Sequence, residues 1–297
     1  MPIEQVDHPR GFVFAVVAYL LWGFLPIYMK AVSQFPAAEV VAHRVIWSVP
    51  VAMILLIVLR RTSDLKTALR SKRILGMALI TASLISVNWL TYVYAIATDR
   101  TLEAALGYYI NPLCSVFLGF ALLGEKLTQR QWVAIFITVL AVGVLSYEVG
   151  TLPWLSLILP ITWAFYALFK RSFPIGPNQG FLLEVLILSP IALGYLIYLS
   201  LIGKNHFFAF DWTSTVLLVG LGAVTAIPLI VYANGAKLLK LSTIAMLQYI
   251  APTLIFLVAV FLFGEEFGWA KKVAFPMIWV ALLIFTSSSG KMHEPRD

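Results

Sequence analysis

The hydrophobic residues of this chain occur in long, nearly uninterrupted runs, and the polar residues are concentrated between them. Apolar runs of about 20 residues are separated by short clusters of charged and turn-forming residues. A run of roughly 20 apolar residues is what a helix needs to cross about 30 Å of hydrocarbon. The pattern therefore predicts an all-α integral membrane protein with ten transmembrane helices, at 9–29, 37–59, 73–97, 102–123, 130–147, 151–169, 178–200, 213–235, 241–263 and 270–288.

Composition excludes a soluble protein. Of the 297 residues, 61% are hydrophobic and only 12% are charged, whereas a soluble domain carries roughly 25% charged residues. The apolar run 11–29 is too long for the core of a cleaved signal peptide, so we interpret it as the first span. The longest predicted loops, around 60–72 and 203–211, leave no room for a soluble domain.

The net charge of +7 is explained by the membrane rather than by nucleic acid. Basic residues collect in cytoplasmic loops. With the N-terminus inside, 15 of the 21 Lys and Arg residues fall in cytoplasmic segments and adjoining helix ends, 5 fall outside, and Arg44 lies within a span. We therefore expect a multi-pass protein of a bacterial inner membrane with both termini in the cytoplasm.

The two halves of the chain resemble each other at an offset of 140 residues. The matches at this offset include rare residue types, such as Pro50 and Pro190, Tyr109-Ile110 and Tyr249-Ile250, Pro112 and Pro252, and Gly124-Glu125 and Gly264-Glu265. Each half contains five spans, so the second must enter the membrane in the opposite sense. This predicts two inverted five-helix repeats, 1–148 and 149–297, which is the plan of many secondary transporters. A duplication with only structural meaning is the alternative.

Several segments resemble the drug/metabolite transporter superfamily in its ten-span EamA-type form, and most closely its RarD-like, chloramphenicol-sensitivity branch. The resemblance lies in 18–30 (AYLLWGFLPIYMK), 39–48, 88–90 and 103–113 of the first half, and in 164–166, 241–243, 248–253 and 278–282 of the second. It implies an exporter-like permease built from two bundles of five helices. Members of the superfamily move amino acids, metabolites or drug-like amines, and the resemblance does not imply which substrate this chain carries.

Ionisable residues inside a membrane are functional candidates by default because they are costly there. Glu39, His43 and Arg44 lie near the start of the second span, with Glu39 and His43 on one helix face. Arg44 could hold a substrate carboxylate through its guanidinium fork, and His43 could couple protons. The alternative for Arg44 is a structural ion pair with Glu103.

Glu184 occupies the position of Arg44 in the second repeat. The inversion places the two residues at different depths, so we treat them as separate sites. We expect Glu184 either to gate the inner mouth or to satisfy a neighbouring backbone group.

Aromatic and amide side chains lie well inside several spans, where they could form a binding cavity of flat apolar faces with a few hydrogen bonds. For each of them, helix packing or a place in an interfacial belt is the alternative. Asn111 and Gln248 are stronger candidates for substrate binding, because an amide group in lipid needs a hydrogen-bond partner. The candidates for substrate binding, besides Arg44, are Asn88, Trp89, Tyr92, Tyr108, Tyr109, Asn111, Trp163, Tyr166, Gln248 and Tyr249, with Tyr232 and Asn234 in the wider set.

The paired prolines are expected to remove backbone donors in the middle of spans. Pro112 and Pro252 are predicted hinges of the fourth and ninth spans, with static curvature as the alternative. Glu125 and Glu265 are interpreted as turn residues, and Gly220 and Gly222 as sites of close helix approach.

No motif of a membrane enzyme is present, and neither Cys114 nor the four histidines suggest a metal site. We therefore predict a secondary transporter, an exporter that works by alternating access and needs no cofactor or metal. Its partners are a small-molecule substrate and the bilayer, with proton coupling and a monomeric or homodimeric state both open. A flippase or channel for lipid-linked substrates, or an embedded enzyme, is the alternative.

Overall fold

The computed structural model describes residues 8–58, 63–123, 127–150, 152–171, 173–207, 212–236, 238–239 and 247–289. All regular secondary structure in these ranges is helical. The helices are α1 (Pro9–Ala31), α2 (Ala37–Val58), α3 (Ser63–Arg70), α4 (Lys72–Ala97), α5 (Thr101–Leu123), α6 (Gln129–Val149), α7 (Trp154–Arg171), α8 (Pro177–Leu201), α9 (Trp212–Ala236), α10 (Ile250–Leu257, continued by a π-helical turn, Val258–Leu262) and α11 (Trp269–Ser289).

Seven of these helices, α1, α2, α4, α5, α6, α8 and α9, are long and apolar enough to cross a membrane. Helix α7 and the segment Ile250–Leu262 are apolar but shorter. The predicted spans agree with the helices to within a few residues except for the ninth (241–263), in which 241–246 lie outside the described residues, Gln248 and Tyr249 form a turn and the helix begins at Ile250. The predicted loop 60–72 was wrong in part, because it contains the short helix α3, whose Ala68 packs beside Ile74 and Phe173.

Polar side chains cap the first turns of α4 and α6, where backbone N–H groups have no hydrogen-bond acceptor within the helix. Ser71 Oγ accepts a hydrogen bond from the backbone N–H of Ile74 at the start of α4. Thr128 and Gln131 form a reciprocal capping box at the start of α6. These caps meet the requirement that backbone groups near hydrocarbon be paired.

The prolines fall in two structural settings. Pro50, Pro112 and Pro190 lie inside α2, α5 and α8. Pro252 instead lies in the first turn of α10, which begins at Ile250. A missing N–H removes no intrahelical hydrogen bond in a first turn, and the role of Pro252 as a hinge stays a prediction.

The helices pack as a bundle whose outer surface is apolar. The principal neighbours are α1 with α9 and α10, α2 with α8 and α9, α4 with α7 and α8, α5 with α7 and α10, and α6 with α11. Outward side chains such as Val139, Ile191 and Leu283 are more than half exposed, as expected of a surface that faces lipid.

The bundle has two ends, which we name after one ion-paired residue near each, Glu39 and Lys170. At the Glu39 end, α1 and α4 end and α2 and α5 begin; at the Lys170 end, α7 ends and α8 begins. Glu265 lies at the Glu39 end in the turn after Gly264 (φ +66°), and its carboxylate accepts the backbone N–H groups of Thr101 and Leu102 at 2.6 and 2.9 Å. It thereby caps α5 and ties it to the α10–α11 connection. Glu125 lies outside the described residues.

Candidate functional site

A cavity opens between seven helices, α1, α2, α4, α5, α7, α9 and α10. Its empty space, open mouth included, is about 980 Å³. Aromatic rings form most of its wall, and a few amide, hydroxyl and guanidinium groups interrupt them. Its lining consists of Tyr19, Trp22, Leu25, Arg44, Ile85, Asn88, Trp89, Tyr92, Tyr108, Asn111, Trp163, Tyr166, Thr225, Leu229, Tyr232, Gln248, Ala251, Pro252 and Ile255.

The structure brings together most of the side chains that the sequence suggested for substrate binding. Those lining the cavity are Arg44, Asn88, Trp89, Tyr92, Tyr108, Asn111, Trp163, Tyr166 and Gln248. Tyr109 and Tyr249 are not part of the lining; their rings stack at 6.5 Å, and the Tyr109 hydroxyl lies 2.8 Å from Thr253 Oγ1. Tyr108 and Tyr109 are consecutive residues of one helix, so they point about 100° apart, and only Tyr108 faces the cavity.

Arg44 is 4% exposed and lies in α2, about 10 Å from the start of that helix. Its Nε donates to Thr225 Oγ1 at 2.7 Å, and its guanidinium lies 4.6 Å from the ring centroid of Trp89. Its Nη1 is buried without a hydrogen-bond partner. The alternative of an ion pair with Glu103 was wrong, because Glu103 binds Arg100 through two hydrogen bonds at 2.6 and 2.8 Å.

Two further lining residues carry buried polar atoms that lack partners, namely Tyr92 Oη and Asn111 Oδ1. Asn88 differs, since its Nδ2 donates to the Leu159 carbonyl at 3.0 Å and to Thr162 Oγ1 at 2.9 Å. Asn88 therefore ties α4 to α7, while Tyr92 and Asn111 leave hydrogen-bonding capacity towards the cavity.

Glu39 and His43 are buried near the Glu39 end and do not line the cavity. The carboxylate of Glu39 accepts the backbone N–H of His206 at 3.0 Å and lies 2.6 Å from His206 Nδ1. His43 Nδ1 accepts a hydrogen bond from Trp47 Nε1 at 3.3 Å, and its ring lies 5.1 Å from that of Phe207. The segment 203–207 is thus held against the start of α2, a contact that the sequence did not predict.

Glu184 is fully buried near the Lys170 end. Its Oε1 lies 2.7 Å from Lys170 Nζ, and its Oε2 accepts a hydrogen bond from the Tyr166 hydroxyl at 3.2 Å. Its partners are therefore side chains, and the expectation that it satisfies a backbone group was wrong. Because Tyr166 lines the cavity, it connects the cavity wall to this ion pair.

Two members of one aromatic cluster of the lining, Tyr19 and Trp22, were missed as candidate site residues, whereas Tyr232 was in the wider set. The rings of Tyr19, Trp22 and Tyr232 meet at centroid distances of 5.4 to 5.8 Å. The repeat carried a signal for one member, since Tyr232 lies 140 residues after Tyr92. Nothing in the local sequence separates Tyr19 from a packing residue.

Within the part of the chain that the structure describes, no three His, Cys, Asp or Glu side chains are grouped to hold a metal ion.

Comparisons with known proteins agree with the resemblance found in the sequence. The model of the EamA-like transporter family matches residues 9–147. Protein RarD of Escherichia coli is 38% identical over 276 residues, which are 93% of each chain. An uncharacterized transporter of Vibrio cholerae is 37% identical over 96% of this chain and 95% of its own, and the Bacillus subtilis transporter YojE is 38% identical over 97% of both.

One solved crystal structure is similar over 96% of this chain and 99% of its own, with a TM-score of 0.60 and 18% identity. At that identity the likeness shows the fold alone.

Proposed function

This chain belongs to the EamA-like transporter family and is a multi-pass membrane transporter, and we propose that it exports a small amphipathic metabolite by alternating access around the aromatic cavity. The observation that carries the proposal is the cavity itself. Its wall draws on helices of both halves of the chain, and aromatic faces alternate with a few polar atoms. Such a site suits a solute that must be held and then released.

The pattern of helix neighbours supports the ten-span inverted repeat. Exchanging the halves turns α1, α2, α4, α5 and α6 into α7, α8, α9, α10 and α11. The packing of α1 against α9 then becomes that of α7 against α4, and α5 against α7 becomes α10 against α1; both members of each pair are present. The family match also ends at residue 147, next to the proposed boundary of 148.

Alternating access requires that the cavity be sealed from one side at a time. Buried polar contacts near both ends suit that role. At the Glu39 end, Glu39 holds the segment that contains His206. At the Lys170 end, Glu184 binds Lys170 and Tyr166. With both termini in the cytoplasm, as the distribution of Lys and Arg predicts, the Lys170 end is the cytoplasmic one.

Counter-flow in proteoliposomes tests the proposal. Vesicles preloaded with an unlabelled solute should accumulate the labelled form transiently, and the rate should saturate with concentration. We would screen amino acids, aromatic amines and amphenicol drugs. An enzyme would change its ligand chemically, and a channel would give no counter-flow.

A matched pair of tyrosine variants controls this assay. Tyr232→Ala removes a cavity ring and should lower exchange at least about tenfold, because a stacked aromatic wall contributes much of the contact energy. Tyr147→Ala changes a tyrosine of α6 that is 82% exposed and should leave exchange unaltered. Equal exchange in both variants would contradict a substrate path through the cavity. No exchange of any aqueous solute, with movement of labelled lipid instead, would favour a flippase.

A further inference from the structure

Arg44 carries a buried positive charge that has no role in the transport cycle proposed above. A buried cation is costly unless an anion or several hydrogen bonds balance it. Among the described residues, the two fully buried carboxylates, Glu39 and Glu184, bind His206 and Lys170 instead, and no carboxylate pairs with Arg44. The guanidinium is held by Thr225 on one side and by Trp89 beneath, while Nη1 is buried and unpartnered beside the cavity.

We propose that Arg44 is the anchor for a carboxylate group of the substrate, so that the transported species is a carboxylate rather than an amine. The inference rests on the proposed transport function and names the substrate class of the same cavity. Arginine remains protonated at any physiological pH, and its planar fork matches the two oxygens of a carboxylate.

Thr225 positions the fork rather than binding the anion. Its hydroxyl accepts from Arg44 Nε at 2.7 Å and donates to the Leu221 carbonyl at 2.7 Å, so it has no proton left for a ligand. With Nε so occupied, the terminal nitrogens of Arg44 are left for an anion. One guanidinium suits a singly charged carboxylate better than a phosphate, which carries more charge and more acceptor atoms.

The other unpartnered atoms beside the cavity indicate which further polar groups the ligand carries. Tyr92 Oη can donate a second hydrogen bond to an anion, whereas Asn111 Oδ1 is an acceptor and calls for a donor such as an N–H or O–H group. The rings of Tyr19, Trp22 and Tyr232 supply an apolar wall for a hydrocarbon or aromatic body. A substrate that carries only a positive charge would meet the fixed charge of Arg44 in a water-poor site.

Matched sets of compounds test the inference. Each set has one skeleton (phenylpropyl, indolylpropyl or n-butyl) that ends in a carboxylate, a carboxamide or an amine. Binding is measured by ligand-dependent thermal stabilisation of the purified protein, and exchange is measured by counter-flow. We expect at least one carboxylate to bind about 10- to 100-fold more tightly than its amide, the range for a charged hydrogen bond.

Three variants separate charge from structure. Arg44→Gln should abolish the preference for carboxylate over amide. Arg44→Lys should retain the preference with about tenfold weaker binding, because the charge stays and the fork is lost. Arg130→Gln makes the same chemical change at an exposed arginine that contacts the Ser287 carbonyl, and it should bind like the parent protein.

If in every set the amide or the amine binds as tightly as the carboxylate, or if the preference survives Arg44→Gln, the inference is overturned. The same holds if no carboxylate in any set binds. Counter-flow of amines or amides in those cases would leave the carrier function standing, so the failure of the anchor is distinguishable from the failure of the proposed function.

Discussion

Glu184→Gln and Lys170→Met, alone and together, form a double-mutant cycle on the buried ion pair. Glu184 is fully buried, while the Lys170 side chain is 18% exposed at the end of α7. Removing one partner of a buried pair leaves the other charge uncompensated, at a cost of about 3–5 kcal/mol. Lys170→Met should reach that range, because the carboxylate then keeps only the hydroxyl of Tyr166.

The three variants should differ in their free energies of unfolding. Glu184→Gln should cost less, about 2–3 kcal/mol, since the partly exposed lysine can turn its ammonium towards water. The double variant buries no charge and keeps an acceptor for Tyr166, so it should also cost about 2–3 kcal/mol, well below the sum of the single changes. The coupling is then about 3–5 kcal/mol, at or above the upper end for residues in contact.

The assay is equilibrium unfolding in mixed micelles titrated with a denaturing detergent. The repeat supplies the control, because Lys30 corresponds to Lys170 but pairs with Asp99 at exposed positions, with side chains 34% and 67% exposed. A cycle of Lys30→Met and Asp99→Asn should give a coupling below about 1 kcal/mol. If the coupling of Lys170 and Glu184 is no larger than this, the assignment of a buried, mutually dependent pair is refuted.

Two other perturbations test the packing around the site. Gly222→Ala would place a Cβ 2.2 Å from the carbonyl oxygen of Trp47, so α2 and α9 must separate, and we expect about 1–3 kcal/mol of destabilisation in the same unfolding assay; an unchanged midpoint would contradict the close approach. Glu39→Gln replaces the carboxylate that holds His206 and should speed thiol labelling of a cysteine introduced at the exposed Lys204, after replacement of the single native cysteine. An equal labelling rate would show that Glu39 does not hold the segment.

The sequence predicted the helices well because the requirement behind them is local. A segment that crosses hydrocarbon must pair its own backbone groups and present apolar side chains, and both properties can be read from consecutive residues. The repeat at an offset of 140 adds long-range information of the same kind, because it relates residues of the first half to residues of the second.

Side-chain partners were predicted less well because they depend on which helix faces come together. Sequence analysis offered Glu103 as a partner for Arg44, yet Arg100, which lies three residues before Glu103 and directly before α5, binds its carboxylate instead. Glu39 binds His206, which lies 167 residues away in a connection without a sequence motif. Such partners are determined by distances in the folded structure, and the order of residues along the chain does not give those distances.

By itself, therefore, the amino-acid sequence determined a helical membrane protein, its family and most of the polar and aromatic residues of the cavity, because hydrophobicity and residue type are properties of the chain. Only the tertiary structure decided which of two adjacent tyrosines faces the cavity, which carboxylates are bound elsewhere and that the guanidinium of Arg44 keeps an unpartnered nitrogen. The physical reason is that helix rotation and packing set the direction of each side chain, and a difference of about 100° between neighbouring residues is enough to exchange a binding role for a packing role.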